Sequence, residues 1–117
     1  MIEKTILDYL NSELSVPAYM ERPLDSPEEF VLIERTGGTI TDVVIGSGTF
    51  AIQTYAESLY EAAALANEVV LALYGMVHLP EVSRVSIDGL YNFTDVDTKD
   101  YRYQVVARII YYHNVNA

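Results

Sequence analysis

The stretch Thr49-Phe50-Ala51-Ile52-Gln53-Thr54-Tyr55-Ala56-Glu57-Ser58-Leu59-Tyr60-Glu61-Ala62-Ala63 changes its period halfway along. As far as Tyr55 the residues alternate, with Phe50 and Ile52 on one face and Ala51 and Gln53 on the other, the pattern of a strand. From Leu59 onward, Leu59, Ala62, Ala63, Ala66, Val69, Val70 and Leu73 recur at helical spacing and form one apolar stripe. A capping box fits twice at the start of this helix, as Thr54 with Glu57 or as Ser58 with Glu61. Gly75 supplies a C-terminal stop. The run of alanines predicts a helix lying close on a sheet, where bulky side chains would hold it away. A strand that feeds a helix packed back on the sheet is the frame for the rest of the chain.

Upstream, Phe30-Val31-Leu32-Ile33-Glu34-Arg35 reads as a partner strand, stopped by Thr36-Gly37-Gly38. Thirteen residues with four glycines, Thr36 to Gly48, lie between the two strands, whereas a tight hairpin needs about two to five. Two readings are open: Ile40 to Ile45 extend the hairpin arms, or the segment is a long, flexible projecting loop. Nearer the N-terminus, Ile2, Ile6, Leu10 and Leu14 line one stripe of an amphipathic helix, leaving Glu3, Asp8 and Glu13 outside it. Pro17 ends that helix, and Val16 to Met20 reads as a short extended piece. Arg22 to Glu29 holds two prolines and reads as a turn, with Ser26, Pro27 and Glu29 also fitting a single helical turn.

Downstream, Val82 to Ile87 alternates weakly as a third strand and Asp88-Gly89 opens a turn. Tyr101 to Tyr112 is a long fourth strand. One side carries Tyr101, Tyr103, Val105, Ala107, Ile109 and Tyr111; the other carries Arg102, Gln104, Val106, Arg108, Ile110 and Tyr112. Apolar residues on both sides suit a central strand, or a face that meets another chain. The order α-β-β-α-β-β predicts one α+β domain over residues 1–117, an antiparallel sheet of about four strands with two helices on one face.

Composition narrows the function classes. The 117 residues include 17 acids and 7 bases, for a net charge of −10, and half are hydrophobic. Such a chain folds without a partner. The absence of cysteine excludes disulfides, thiolate metal sites and cysteine nucleophiles. No run reaches the roughly 18 apolar residues of a membrane span, and the N-terminus does not resemble a secretory leader. Free binding to nucleic acid or anionic lipid needs a basic surface, which this composition disfavours. The charge is uneven. Residues 1–48 hold nine acids and three bases, residues 49–81 four acids and no base, and residues 82–117 four of each. Either the acids simply maintain solubility, or one face is acidic and another meets a partner.

No catalytic, cofactor-binding or metal site is expected. His78 and His113 have no acid or nucleophile at a recognisable spacing. Gly46-Ser47-Gly48 lacks the spacing of a nucleophile elbow and the lysine of a phosphate-binding loop. Asp95, Asp97 and Asp100 resemble a cation loop, but Val106 stands where an EF-hand needs glutamate, so a solvated turn is expected. Glu28-Glu29 lacks a third group to work with. Ten tyrosines against three phenylalanines and no tryptophan are more informative. Tyr101, Tyr103, Tyr111 and Tyr112 stand beside Arg102 and Arg108, the residue types that anchor interfaces. The competing reading is an aromatic ladder within one sheet.

Several segments occur in an order that carries a family likeness: Tyr9-Leu10-Asn11-Ser12 with Val16-Pro17-Ala18-Tyr19, then Pro27-Glu28-Glu29-Phe30-Val31 and Glu34-Arg35-Thr36-Gly37-Gly38. Ile52-Gln53-Thr54-Tyr55-Ala56-Glu57-Ser58 follows, leading into the alanine-rich helix, and then Tyr101-Arg102-Tyr103-Gln104. In these the chain resembles the tail-terminator and head–tail joining (tail completion) proteins of long-tailed bacteriophages. It departs from them in having Tyr55 where many have tryptophan, and Asn92-Phe93-Thr94-Asp95 where some have an aromatic-proline-Asp turn.

The resemblance implies a non-enzymatic virion protein, made in the bacterial host cytoplasm, that forms a homo-oligomeric ring, usually a hexamer, at the head–tail interface. Its partners would be the major tail tube protein and the head connector protein. DNA would pass the lumen without specific binding, helped by an acidic wall, and no cofactor or membrane would be involved. The candidate interface residues are Thr36, Gly37, Gly38, Gly46 and Gly48 in the long loop, and Tyr101, Arg102, Tyr103 and Arg108 on the last strand. The alternative is an acidic protein-binding module that mimics DNA to inhibit a nucleic-acid-binding protein.

Overall fold

The computed structural model describes residues 1–40 and 44–112. Helix α1 (Ile2–Glu13) is followed by β1 (Ala18–Tyr19), β2 (Phe30–Ile40) and β3 (Ile45–Tyr55). Helix α2 (Leu59–Gly75) runs into a single 3-10 turn, Met76–His78, and β4 (Val82–Asn92) and β5 (Arg102–Tyr112) complete the chain. The strands form one sheet in the order β1-β2-β3-β5-β4, parallel between β1 and β2 and antiparallel elsewhere. The architecture is α+β with two helices. It has five strands rather than about four, and the order is α-β-β-β-α-β-β, because Ala18–Tyr19 joins the sheet.

A side chain secures that extra strand. Asn11 of α1 donates its amide to the Ala18 carbonyl at 3.1 Å and accepts from the Ala18 N–H at 2.9 Å. The asparagine thus acts as a strand neighbour for one residue. On the other side, Val31 N–H donates to the Pro17 carbonyl at 2.9 Å.

Ile2, Ile6 and Leu10 of α1, and Leu65, Ala66, Val69 and Leu73 of α2, share one core with Val31, Ile33, Phe50, Ile52, Val105, Ala107 and Ile109 of the sheet. Both helices therefore cover the same sheet face. Each large side chain buried there contributes about 1.5–3 kcal/mol. The α2 stripe differs from the expected one at its start, since Leu59 is exposed and Leu65 is buried. Ser58 is the cap, its hydroxyl accepting from Glu61 N–H at 3.1 Å. Thr54 instead donates to the Ala62 carbonyl at 2.9 Å, tying the end of β3 to the first turn of α2. The α-helix ends at Gly75 as expected, but without a left-handed cap, and a 3-10 turn continues from it. The Gly75 backbone stays right-handed helical, and a Cβ there would lie 2.5 Å from the Tyr9 hydroxyl, so this glycine lets α1 approach α2.

Three expected turns take other forms. The long loop at 36–48 is largely a hairpin arm, with Gly37 opposite Thr49, Gly38 opposite Gly48, Thr39 opposite Ser47 and Ile40 opposite Gly46. Residues 41–43 lie outside the described residues. A bulge at Thr36 adds local twist, and the β3 side of the arm stays paired with β5 as far as Ile45 opposite Tyr112. Asp88-Gly89 is likewise a bulge, between Ile87 and Gly89, and β4 continues to Asn92. Ser26 to Glu29 takes no helical turn; the turn of that segment forms at Leu24 and Asp25, with bends at Glu28 and Glu29.

Candidate assembly surface

Strand alternation gives the sheet a second face, which neither helix covers. Leu32 and Glu34 of β2, Ala51, Gln53 and Tyr55 of β3, and Arg102, Gln104, Val106, Arg108 and Ile110 of β5 point to it by register. Its middle is a hydrogen-bonded row that crosses three strands. Arg102 Nη1 donates to the Tyr55 hydroxyl at 2.9 Å, and Tyr55 donates to Gln53 Oε1 at 3.2 Å. Gln53 Nε2 donates to Gln104 Oε1 at 3.0 Å, and Gln104 Nε2 donates to the Tyr91 hydroxyl. Gln53 and Gln104 are only 9% and 8% exposed, and the row satisfies both amides. Such a network fixes side chains in one geometry.

Aromatic and guanidinium groups close one end of this face. Tyr55 stacks on Phe30 with ring centroids 4.5 Å apart and an interplanar angle of 6°. Arg22 lies 5.0 Å and Arg102 5.7 Å from the Tyr55 centroid. Arg22 also pairs with Asp100 at 2.8 Å, and that hydrogen bond raises its pKa above the usual arginine value. At the other end, Arg108 meets Asp88 at 3.1 Å, and Arg84 stands opposite Ile110, two pairs further along. Arg84 forms no ion pair among the described residues. Four of the five arginines therefore lie on or beside this face.

The helical side has the opposite charge. Glu13, Glu28, Glu29, Glu57, Glu61 and Glu68 line a chain of shallow depressions beside Ser15 and Val16. The depression at Glu28 and Glu57 measures about 430 Å³, and that between Tyr9 and Leu71 about 500 Å³. None of these six glutamates forms an ion pair among the described residues. A hydrogen bond to Glu28, with the repulsion of neighbouring carboxylates, raises the Glu57 pKa above its usual value.

The structure divides the candidate interface residues among three places. Arg102 and Arg108 lie on the open face. Tyr103 packs against the core on the helix side, and Tyr111 is buried there too. Tyr101 precedes β5, and its carbonyl accepts from Ala56 N–H at 3.2 Å. Thr36, Gly37, Gly38, Gly46 and Gly48 belong to the hairpin arm. A Cβ at Gly46 would meet the Tyr111 ring at 2.6 Å, and one at Gly48 the Phe50 ring at 2.6 Å. These two glycines accommodate rings of the core face.

The sequence reading missed the contributions of Arg22, Gln53, Tyr55, Arg84 and Tyr91. Two glutamines at outward positions of apolar strands were the available signal for the central row. In the 95–100 turn, Asp95 Oδ1 accepts from the N–H groups of Asp97 at 3.0 Å and Thr98 at 3.4 Å, which lowers its pKa, and Asp100 is taken up by Arg22. Among the described residues no group of three His, Asp or Glu side chains is placed to hold a metal ion, and His113 lies outside the described residues. No helix among them is long and apolar enough to cross a membrane. No family model matches this chain, and neither does any curated protein.

Proposed function

We propose that this chain is a structural virion protein that forms a hexameric ring at the head–tail junction of a long-tailed phage. It terminates the tail tube and joins it to the head connector. The observation that carries the reading is the open sheet face, a preorganised Arg–Tyr–Gln surface without a covering layer. A face of that kind suits protein contacts, since arginine and tyrosine present large area with directed hydrogen bonds. The segment order quoted above supports the choice of family. The subunit is elongated, 44 Å against 24 and 23 Å, with strands of 11 residues that could span between neighbouring rings. Acidic residues on the lumen would repel DNA phosphates and let the genome slide past.

The unpaired row of six glutamates favours a second reading, an acidic module that occupies the nucleic-acid site of a basic protein. Deletion of the gene from its phage separates the two. A ring at the junction predicts filled heads without tails beside unattached tails in electron micrographs. Tails of irregular or excessive length assign termination, and tails of normal length assign joining alone. Intact virions from the deletion mutant would reject both roles and favour the inhibitor.

A further inference from the structure

We infer that the open sheet face of one copy is covered by the outer side of α2 from a second copy, completing an α/β/α sandwich between subunits. The inference rests on the ring reading only for the closed shape of the product; the contact itself follows from two surfaces of one molecule that complement each other.

The first surface is the far side of α2. Tyr60 is 84%, Leu71 74% and Tyr74 47% exposed, three large apolar side chains on a helix whose opposite side already fills the core. Residues 60, 64, 67, 71 and 74 follow helical spacing, so these side chains share one stripe. Glu61 and Glu68 flank it two turns apart, with no base on the helix.

The second surface is the open face around β4 and β5. Val106 and Ile110 are half-buried there, Tyr91 and Phe93 are exposed, and Arg84 and Arg108 flank Ile110. Apolar area lies in the middle of both surfaces, with Arg84 and Arg108, the latter already paired with Asp88, at the margin of one and Glu61 and Glu68 at the margin of the other. An antiparallel sheet can leave one face to solvent, but half-buried Val106 and Ile110 beside exposed Tyr91 and Phe93 give this face apolar area for a partner to cover. A second copy supplies the missing layer with charges of the matching sign.

The two surfaces lie on opposite sides of the same subunit, so one contact leaves a free surface at each end. The association is heterologous, and the ring reading requires that its rotation per subunit closes rather than running on as an open filament.

Charge exchange tests this directly. The double variant Arg84→Glu/Arg108→Glu has acids on both surfaces, and Glu61→Lys/Glu68→Lys has bases on both. Each alone should associate on the order of a hundredfold more weakly than wild type in sedimentation equilibrium. Equimolar mixing restores a matched pair at every contact, so the mixture should recover wild-type assembly, weakening as salt is added. Recovery also demonstrates that both variants are folded. Leu71→Asp, at an exposed position away from the core, should block association without altering the melting curve.

If a wild-type ring forms and both double variants keep it, the contact lies elsewhere and the ring reading survives. A mixture that stays monomeric, while each variant melts as wild type does, also overturns the inference. Wild-type protein that stays monomeric even with tail tubes present overturns the inference and the ring reading together.

Discussion

Gln53 and Gln104 stand directly opposite each other on β3 and β5 and join their amides at 3.0 Å, nearly buried on the face that no helix covers. The pair lies at the centre of the row from Arg102 to Tyr91. Truncating one partner strands the other's amide. Gln104→Ala should therefore cost about 1–3 kcal/mol. The double substitution Gln53→Leu/Gln104→Leu should cost clearly less than the two single leucine changes added together. Urea unfolding of the four proteins checks the cycle; additive values would mean that the two amides act independently.

Arg102 and Arg108 share a strand face but should behave differently. Arg102 ties three groups, donating to the Phe93 carbonyl at 2.7 Å and to Tyr55 while lying 4.7 Å from the Phe93 ring centroid. Arg108 holds one exposed carboxylate, Asp88. Arg102→Ala should lose about 1–3 kcal/mol of stability, and Arg108→Ala less than about 1. Thermal melting ranks them. The reverse order would remove Arg102 from the structural row.

Adjacent glycines in the hairpin arm offer a sharper contrast. Gly38 has φ +134°, and a Cβ there would lie 2.1 Å from the Ser47 carbonyl oxygen. Gly37 has nothing within 4 Å of the same atom and no positive φ. Gly38→Ala should destabilise by more than about 1 kcal/mol, whereas Gly37→Ala should leave stability unchanged or raise it by about 0.4–1. Equal effects in denaturant titrations would contradict the paired arm.

That arm also marks the limit of what the sequence conveys. The period change at Tyr55, the helical stripe of α1 and the two sides of β5 were legible, because local periodicity reports which face is buried. The arm was legible only as one of two open readings, since Gly37, Gly38, Gly46 and Gly48 suit a flexible loop as well as extended hairpin arms. The Arg35 guanidinium reaches the Ser47 carbonyl at 3.3 Å, the Tyr111 hydroxyl at 3.1 Å and Glu3 at 3.5 Å, filling space beside Gly38 and Gly48 that side chains there would take. Such contacts span 12, 76 and 32 positions of the chain, beyond any local pattern. The tyrosines of β5 gave a mixed signal for a similar reason. Alternation separates Tyr103 and Tyr111, which meet the core, from the face that carries Arg102 and Arg108.

Acid stability should respond at Glu57. Its carboxyl has a raised pKa, chiefly through Glu28, so the folded state binds a proton more tightly than the unfolded chain does. This contribution is fully present below the ordinary value of 4.5 and is lost as pH rises through the raised one. Glu57→Gln should therefore leave stability at low pH nearly unchanged and increase it at neutral pH. Asp95, lowered by the N–H groups of Asp97 and Thr98, has the opposite sign: its contribution holds above 3.8 and is lost on acidification. Melting curves of Glu57→Gln and Asp95→Asn across the acid range distinguish the two. A Glu57→Gln protein less stable than wild type at neutral pH would refute the shared-proton account.

The central claim is that this chain caps a growing tail tube, and the length of tubes grown from purified tail tube protein tests it most directly. A tube subunit adds head to tail until its free end is blocked. With this protein present from the start of growth, electron micrographs should show shorter tubes bearing a ring at one end only, with mean length falling as its concentration rises. The Arg84→Glu/Arg108→Glu variant, unable to close a ring, should leave length unaffected. Tubes of the same length distribution with and without the wild-type protein, and no density at either end, would contradict the account.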